Sequence, residues 1–193
     1  MTDLVVHRDF LTADEDQAVR ALIDQYWPRA ESSARHVVRF GPFRPCGDGI
    51  LVAEIPPVLR ALQERLSAAH LMDGWPESVS LNLYPPRATI LPHVDNYLQC
   101  GPVVGVVGLL APNDLLFRRL TSAGGVDHSA TATVHTERLP AGALLLLQGD
   151  KRYHWTHETQ PIDECRASLV FRTRRDGDVK HCPVMGEDRQ RSR

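Results

Sequence analysis

The order of the periodic segments constrains this chain most, because two helical patterns come first and a series of short strands follows. After Trp75, seven runs are apolar or alternate with period two. They cover 79–84, 88–91, 103–110, 115–120, 130–138, 143–147 and 167–173. Turn residues such as Pro85-Pro86 and Gly124-Gly125 separate them. Strands of this length and spacing predict an α+β protein whose second part is an all-β sandwich or barrel.

Helical periodicity occurs twice before these strands. Thr12 and Glu15 have the spacing of a capping box, and an apolar stripe follows them until Pro28 ends the pattern. A second helix is predicted over about 56–70, with leucines on one face. The stretch 39–49 is rich in proline and glycine, which predicts a loop or a twisted hairpin between the helices.

Length and composition favour one soluble globular domain. The chain has 193 residues, of which 42% are hydrophobic and 24% charged, values that argue against a disordered or fibrous protein. We expect a single domain over 1–193, with a helical part over 1–75, an all-β core over 76–175 and a basic tail over 176–193.

The same composition predicts a cytoplasmic protein without a membrane partner. No stretch approaches the ~20 apolar residues of a membrane helix, and the acidic N-terminus lacks the features of a signal peptide. Four cysteines, Cys46, Cys100, Cys165 and Cys182, are far apart, which favours free thiols over disulfides or structural zinc. The net charge of −2 argues against a protein that coats nucleic acid, yet 166–193 holds eight Arg or Lys against four Asp or Glu, which suits an anionic partner.

A histidine and a carboxylate stand two residues apart in the strand-rich region. His93 and Asp95, in P-H-V-D, point to the same side of a strand. A second imidazole would complete the facial triad that holds non-haem Fe(II). R-Y-H-W-T-H-E contains two candidates, His154 and His157. The alternative is a surface His–Asp pair that binds no metal.

Two arginines, Arg166 and Arg172, share one face of a predicted strand because their spacing is even. Guanidinium groups that point into a barrel are unfavourable unless each meets an anion, and a dicarboxylate supplies two. Arginine also binds a carboxylate through two parallel hydrogen bonds. Asn82 and Tyr84 share a face of another strand and can hydrogen-bond an organic acid. Alternatively, one or both arginines are exposed or pair with Asp and Glu.

Taken in order, these motifs resemble those of the AlkB family of Fe(II)/2-oxoglutarate dioxygenases. The resemblance rests on N-L-Y-P-P-R-A-T-I-L-P-H-V-D, R-Y-H-W-T-H and C-R-A-S-L-V-F-R and covers most of the chain. It implies a double-stranded β-helix, or jelly-roll, with the N-terminal helices packed outside. It also implies Fe(II) as cofactor, 2-oxoglutarate and O₂ as co-substrates, and hydroxylation or oxidative demethylation as the reaction.

The resemblance also implies roles for individual residues. The iron ligands would be His93, Asp95 and His157, the last because the family pattern R-Y-x-W-x-H ends on the ligand. Arg166 would meet the distal carboxylate of 2-oxoglutarate, with Asn82 and Tyr84 beside the cofactor. Arg172 would lie near the carboxylate next to the iron and near the substrate.

The expected substrate follows from a departure from the family's nucleobase-repair members. Those members carry an acidic residue where this chain has Tyr97, and a larger basic and aromatic lid than the short segment that holds Arg39 and Phe40. Arg118 is a further candidate to face an anionic substrate. We expect a small molecule or a protein side chain as substrate, with alkylated DNA or modified RNA or tRNA as the alternative.

Two other classes of protein compete with a dioxygenase. A jelly-roll binding module with a degenerate site would have lost a ligand or an arginine, and none is missing. A cupin-like metal enzyme that needs no 2-oxoglutarate would not require the paired Arg166 and Arg172.

Overall fold

The structure is a computed structural model, which describes residues 3–27, 34–42, 49–121, 124–125 and 134–175. Its elements, in chain order, are β1 (Leu4–His7), α1 (Ala13–Tyr26), β2 (His36–Phe40), β3 (Ile50–Val52), α2 (Pro57–Ala68), β4 (Ser78–Tyr84), β5 (Cys100–Leu109), β6 (Asn113–Arg119), β7 (Val134–Leu139), β8 (Leu144–Leu147), α3 (Gly149–His154), β9 (Trp155–Thr159) and β10 (Arg166–Arg174). None of the helices in these ranges is long and apolar enough to cross a membrane.

The strands form two sheets. The larger has seven strands in the order β1-β8-β5-β10-β4-β2-β3, and the smaller has three in the order β7-β6-β9. Neighbouring strands run antiparallel, apart from the parallel pair β2 and β3. The α+β class predicted from the sequence is confirmed, and the two sheets do not close into one barrel.

The central strands of the larger sheet are buried on both faces. The sheet therefore separates two apolar layers. On β8, Leu144 and Leu146 pack with the helices, whereas Leu145 and Leu147 pack between the sheets. A strand that is buried on both faces shows no polar alternation, which explains the Leu-Leu-Leu-Leu sequence of β8. The space between the sheets is therefore walled by alternate residues of each central strand.

Both predicted helices are present and cover the outer face of the larger sheet. The capping box of α1 is confirmed: the Thr12 backbone N–H donates to Glu15 Oε2 at 2.8 Å, and the Glu15 backbone N–H donates to Thr12 Oγ1 at 3.2 Å. The helix residues packed into this layer are Val19, Leu22, Ile23, Leu59, Leu62 and Leu66. This packing leaves the inner face of the sheet free for the cavity.

The sequence predicted a helical part over the first 75 residues, but this part also contains strands. Three of them, β1, β2 and β3, join the larger sheet. The stretch 39–49 is not an antiparallel hairpin either, since Val38 of β2 lies opposite Ile50 of β3 in parallel register. Residues 43–48 within it lie outside the described ranges. Of the four cysteines, Cys100 and Cys165 are free thiols, and the other two lie outside the described ranges.

The strand predicted at 88–91 does not form. The Ala88 backbone N–H donates to the Pro85 carbonyl oxygen in a turn, and Arg87 has a φ of 65°, so the chain leaves the extended conformation there. Conversely, the sequence reading had missed β1, β9 and the short α3. Residues 130–133 of the predicted strand before β7, and the basic tail 176–193, lie outside the described ranges.

Candidate active site

A cavity of about 740 Å³, including open solvent at its mouth, lies between the two sheets. Its wall combines apolar side chains of the inner layer with a small number of polar ones, the composition typical of a ligand site. The polar side chains that matter below are those of Arg35, Asn82, Tyr84, His93, Asp95, His157, Thr159, Arg166, Ser168 and Arg172. Seven of the eleven residues that the sequence analysis singled out therefore meet in one cavity.

Three of these side chains form a compact cluster. One ligand atom each of His93, Asp95 and His157 lies within 4.8 Å of the other two. The backbones of the two histidines pair, since the His157 N–H donates to the His93 carbonyl oxygen at 2.9 Å and the reverse bond measures 3.2 Å. His154, the other candidate from the sequence, is exposed at the end of α3. Strand pairing thus selects His157 as the partner of His93.

The protonation states in this cluster suit a divalent metal. His93 Nδ1 lies 2.9 Å from the Leu91 carbonyl oxygen, and because a carbonyl only accepts, Nδ1 donates this bond. The other ring nitrogen, Nε2, lies 3.7 Å from Asp95 Oδ1 and is the atom placed to bind a metal. Burial, assisted by the charge of His93, lowers the pKa of His157 to about 3, so its ring is neutral. Among the residues that the structure describes, His157 Nδ1 and Asp95 Oδ2 are buried without hydrogen-bond partners. Two imidazoles and one carboxylate are the donor set that fits Fe(II).

Of the two arginines on β10, Arg172 bonds to a carboxylate of the protein. Such a pair was one of the alternatives that the sequence left open. Its Nη2 donates to Asp95 Oδ1 at 2.9 Å. Burial alone would raise the pKa of the Asp95 carboxyl, but the Arg172 guanidinium and the two imidazoles outweigh burial and hold that pKa well below its usual range. Asp95 is therefore ionised, while Arg172 also lines the cavity.

Arg166 lies at the opposite end of the same face of β10. Its Nη2 donates to Thr159 Oγ1 at 2.6 Å, and its guanidinium carbon is 3.5 Å from the centroid of the Tyr84 ring. Arg166 Nε is buried without a partner. The side chain is 4% exposed and, within the described ranges, pairs with no carboxylate. A buried guanidinium in this state could hold an anion.

The model of the 2OG-Fe(II) oxygenase superfamily matches residues 48–177. The chain belongs to this superfamily. This membership agrees with the Fe(II) and 2-oxoglutarate chemistry that the resemblance to the AlkB family had implied. The three candidate ligands and both arginines lie in the cavity, which favours an oxygenase site over a degenerate binding module.

Known relatives of this oxygenase agree with that assignment. The chain is 24% identical over 188 residues to the "Alkylated DNA repair protein ALKBH8 homolog" of Arabidopsis thaliana, a match that covers 86% of this chain and 54% of the relative. The chain thus spans about half the length of that relative.

Two solved structures share the fold of this oxygenase. OsALKBH1 has a TM-score of 0.61 at 15% identity and covers 90% of this chain and 99% of its own. A prolyl-4-hydroxylase of Pseudomonas putida has a TM-score of 0.60 at 18% identity and covers 91% of this chain and 94% of its own. Likeness to both confirms the predicted double-stranded β-helix.

Two residues of the oxygenase that were expected to meet substrate face away from the cavity. Phe40 is fully buried in the layer beneath the helices, with its ring centroid 5.6 Å from that of Tyr26. Arg118 lies on the outer face of β6 because Phe117 faces inward, and its Nε is 3.3 Å from Glu158 Oε1. In both cases strand alternation turns the side chain away from the wall of the cavity.

The other two candidates, Tyr97 and Arg39, do not form the wall of the cavity. Tyr97 is 47% exposed, and its carbonyl oxygen accepts a hydrogen bond from Arg175 Nη1 at 2.9 Å. Arg39 follows Val38 on β2 and projects from the opposite face, towards the inner side of the sheet. Contact of either residue with substrate stays a prediction.

Two further arginines of this oxygenase belong to the site although no motif in the sequence predicted them. Arg152 is 1% exposed, and it donates to the carbonyl oxygens of Asp95 at 2.9 Å and Gly101 at 3.4 Å. Arg35 lines the cavity and donates to Asn82 Oδ1 at 3.1 Å. Period two along β2 could have placed Arg35 on the inner face, whereas no local pattern indicates the burial of Arg152.

Proposed function

We propose that His93, Asp95 and His157 bind Fe(II) in this oxygenase and that Arg166 binds the distal carboxylate of 2-oxoglutarate. The observation that carries this assignment is the geometry of a single cavity. A compact cluster of two imidazoles and an ionised carboxylate lies at one end, and a buried guanidinium that bonds to no carboxylate in the described ranges lies at the other. The two ends together match a metal and a dicarboxylic acid.

The residues of the chain have separate tasks in this arrangement. Bound Fe(II) supplies the activation of O₂ that accompanies oxidative decarboxylation of 2-oxoglutarate to succinate. Arg172 keeps the Asp95 carboxylate ionised and oriented, and the Leu91 carbonyl fixes the tautomer of His93. Apolar side chains such as Phe117 line the cavity between the sheets, which limits the access of water.

The primary substrate that we propose is a small molecule or a protein side chain, which is hydroxylated or demethylated. Exposed apolar side chains flank the two ligands that are close in sequence: Leu91 precedes His93, and Tyr97 and Leu98 follow Asp95. No acidic base-reading residue occupies position 97, and Phe40 is buried rather than free to stack on a base. These features support an uncharged substrate group at the site.

A nucleic-acid substrate is the second candidate. The name of the Arabidopsis relative refers to repair of alkylated DNA. Beyond the two arginines of the cavity, residues 173–193 also carry six Arg or Lys against four Asp or Glu, and a positive segment attracts phosphate groups. Modified RNA or tRNA would suit the same positive segment.

Iron stoichiometry tests the proposed metal site, with the neighbouring histidine as a matched control. His157→Ala removes a ligand, and we expect it to abolish stoichiometric binding of Fe(II) measured anaerobically by metal analysis after gel filtration. His154→Ala removes an exposed imidazole from the same motif and should leave one iron per chain. Reversal of the two results would contradict the assignment of His157.

A further inference from the structure

A second guanidinium faces the end of the cavity where Arg166 lies. Arg35 precedes β2, whose neighbour in the larger sheet is β4, and β10 follows on the other side of β4. Tyr84 lies opposite Arg166 at the end of β4. Arg35 Nη1 donates to Asn82 Oδ1 at 3.1 Å, which fixes the guanidinium on this side of the cavity.

The two guanidinium groups line the same cavity. Burial lowers the pKa of Arg166, the neighbouring Tyr84 opposes that shift, and the positive charge of Arg35 adds to the lowering. Within the described ranges, neither arginine pairs with a carboxylate of the protein. Two like charges that face one cavity are favourable together only when an anion lies between or beside them.

We propose that Arg35 is a specificity-determining residue of this oxygenase and that, with Arg166, it forms a two-guanidinium site for the distal carboxylate of 2-oxoglutarate. An ionised carboxylate accepts about four hydrogen bonds. Arg166 already uses Nη2 to hold Thr159, so Arg35 supplies donors that Arg166 lacks. Asn82 keeps Arg35 in position through its amide oxygen.

The role of Arg35 rests on the proposed role of Arg166. Comparing the binding of two oxo acids separates contact with the distal carboxylate from a general effect of Arg35 on the cavity. The probes are 2-oxoglutarate and 2-oxobutyrate, which lacks the distal carboxylate, titrated calorimetrically into Mn²⁺-loaded protein. We expect Arg35→Gln to lower the affinity for 2-oxoglutarate by about 10-fold or more, the loss typical of a charge-assisted hydrogen bond. The affinity for 2-oxobutyrate should stay unchanged. Arg35→Lys keeps the charge without the paired donors, so its affinity for 2-oxoglutarate should lie between those of the unmodified protein and Arg35→Gln.

Two further variants serve as references. Arg166→Gln should lower the affinity for 2-oxoglutarate at least as much as Arg35→Gln does. Arg60→Gln, on the exposed side of α2, should bind both acids as the unmodified protein does. Thermal unfolding of each variant establishes that binding is compared between folded proteins.

Two outcomes overturn the role of Arg35. Unchanged affinity of Arg35→Gln for 2-oxoglutarate would remove Arg35 from the carboxylate site, while a loss in Arg166→Gln would leave the proposed function intact. Equal weakening of both oxo acids in Arg35→Gln would mean that Arg35 acts only through Asn82. If Arg166→Gln also bound 2-oxoglutarate normally, the proposed function of Arg166 would fail as well.

Discussion

Buried arginines organise the site of this oxygenase at the scale of single residues. Arg172 bonds to the Asp95 carboxylate, Arg152 bonds to backbone carbonyls, and Arg166 bonds to a hydroxyl and a carbonyl. Guanidinium groups are rarely buried without such partners. The partner of each arginine, rather than its charge, therefore indicates what it does.

Arg152 is expected to position the loop that begins at Asp95. Arg152→Met would leave two backbone carbonyls without their donors and should lower the free energy of unfolding by about 1–3 kcal/mol in urea denaturation. The affinity for Mn²⁺ should fall with it, because Asp95 loses its backbone anchor. Arg138→Met removes an exposed guanidinium and is the control. Equal stability and Mn²⁺ affinity in the two variants would disprove a positioning role.

His157 should make the metal-free protein less stable in mild acid. Its pKa is about 3 in the folded state and about 6.5 when unperturbed. The unfolded chain therefore binds a proton as the pH falls below 6.5, whereas the folded chain does not until the pH approaches 3. Because the unfolded state binds more protons in this window, the free energy of unfolding falls with pH, by at most about 1.4 kcal/mol per pH unit.

Comparison of two variants isolates this contribution. Between pH 7 and pH 5, the loss of unfolding free energy in His157→Gln should be smaller than in the unmodified protein by about 1–2 kcal/mol. His154→Gln, which changes an exposed histidine, should lose as much as the unmodified protein does. Urea denaturation at the two pH values measures the difference. Parallel losses in all three proteins would show that His157 is not held neutral by folding.

At the scale of elements, β10 connects the two ends of the cavity. Alternate residues of this strand, Arg166, Ser168, Val170 and Arg172, all line the cavity. The residues between them pack against the helix layer. Because the period of a strand is two, one face of β10 presents both Arg172, the partner of Asp95, and Arg166 to the cavity. Its other face packs the sheet against the helices.

The helix layer should support stability without touching the site. Thr12→Ala removes the cap of α1, and we expect the free energy of unfolding to fall by about 1 kcal/mol, while the affinity for 2-oxoglutarate stays unchanged. Thr12→Ser keeps a hydroxyl that can accept the same bond and should be nearly neutral. Urea denaturation and calorimetric titration measure the two quantities. A large loss of 2-oxoglutarate affinity in Thr12→Ala would contradict the separation of helix layer and cavity.

At the scale of the whole molecule, charge and surface determine which substrates can approach. The chain has a net charge of −2, and its exposed apolar side chains include Leu91, Tyr97 and Leu98 beside the metal ligands in sequence. Binding of DNA requires the neutralisation of phosphates, and a flipped base must also be stacked and read. Among the described residues, the aromatic side chain expected for that purpose, Phe40, is in the core.

Release of succinate from 2-oxoglutarate should distinguish the substrate classes. We expect slow uncoupled release from the enzyme alone, little stimulation by methylated single-stranded DNA, and stimulation by a fraction of small metabolites or of peptides. Rapid stimulation by methylated DNA that weakens with added salt would assign the enzyme to nucleobase repair instead. Stimulation by tRNA alone would favour the RNA candidate. Arg166→Gln, assayed in parallel, should release little succinate with every substrate.

Local sequence was sufficient for those features that depend on neighbours along the chain. The capping box of α1 formed where Thr12 and Glu15 predicted it, and period two placed Arg166 and Arg172 on one face of β10. The same periodicity placed Asn82 and Tyr84 in the cavity. Each of these depends on a few consecutive residues, whose backbone geometry is the same wherever the element lies in the fold.

Tertiary structure alone decided what each of these faces meets. Pairing of His93 with His157 chose between two histidines three residues apart, and the return of the 93–95 loop to β10 brought Asp95 to Arg172. Strand pairing also drew β1, β2 and β3 into the larger sheet. Burial of Arg152 depends on carbonyl groups that are far from it in sequence. Periodicity reports the direction of a side chain, whereas its partner is supplied by distant segments that only the folded chain brings within bonding distance.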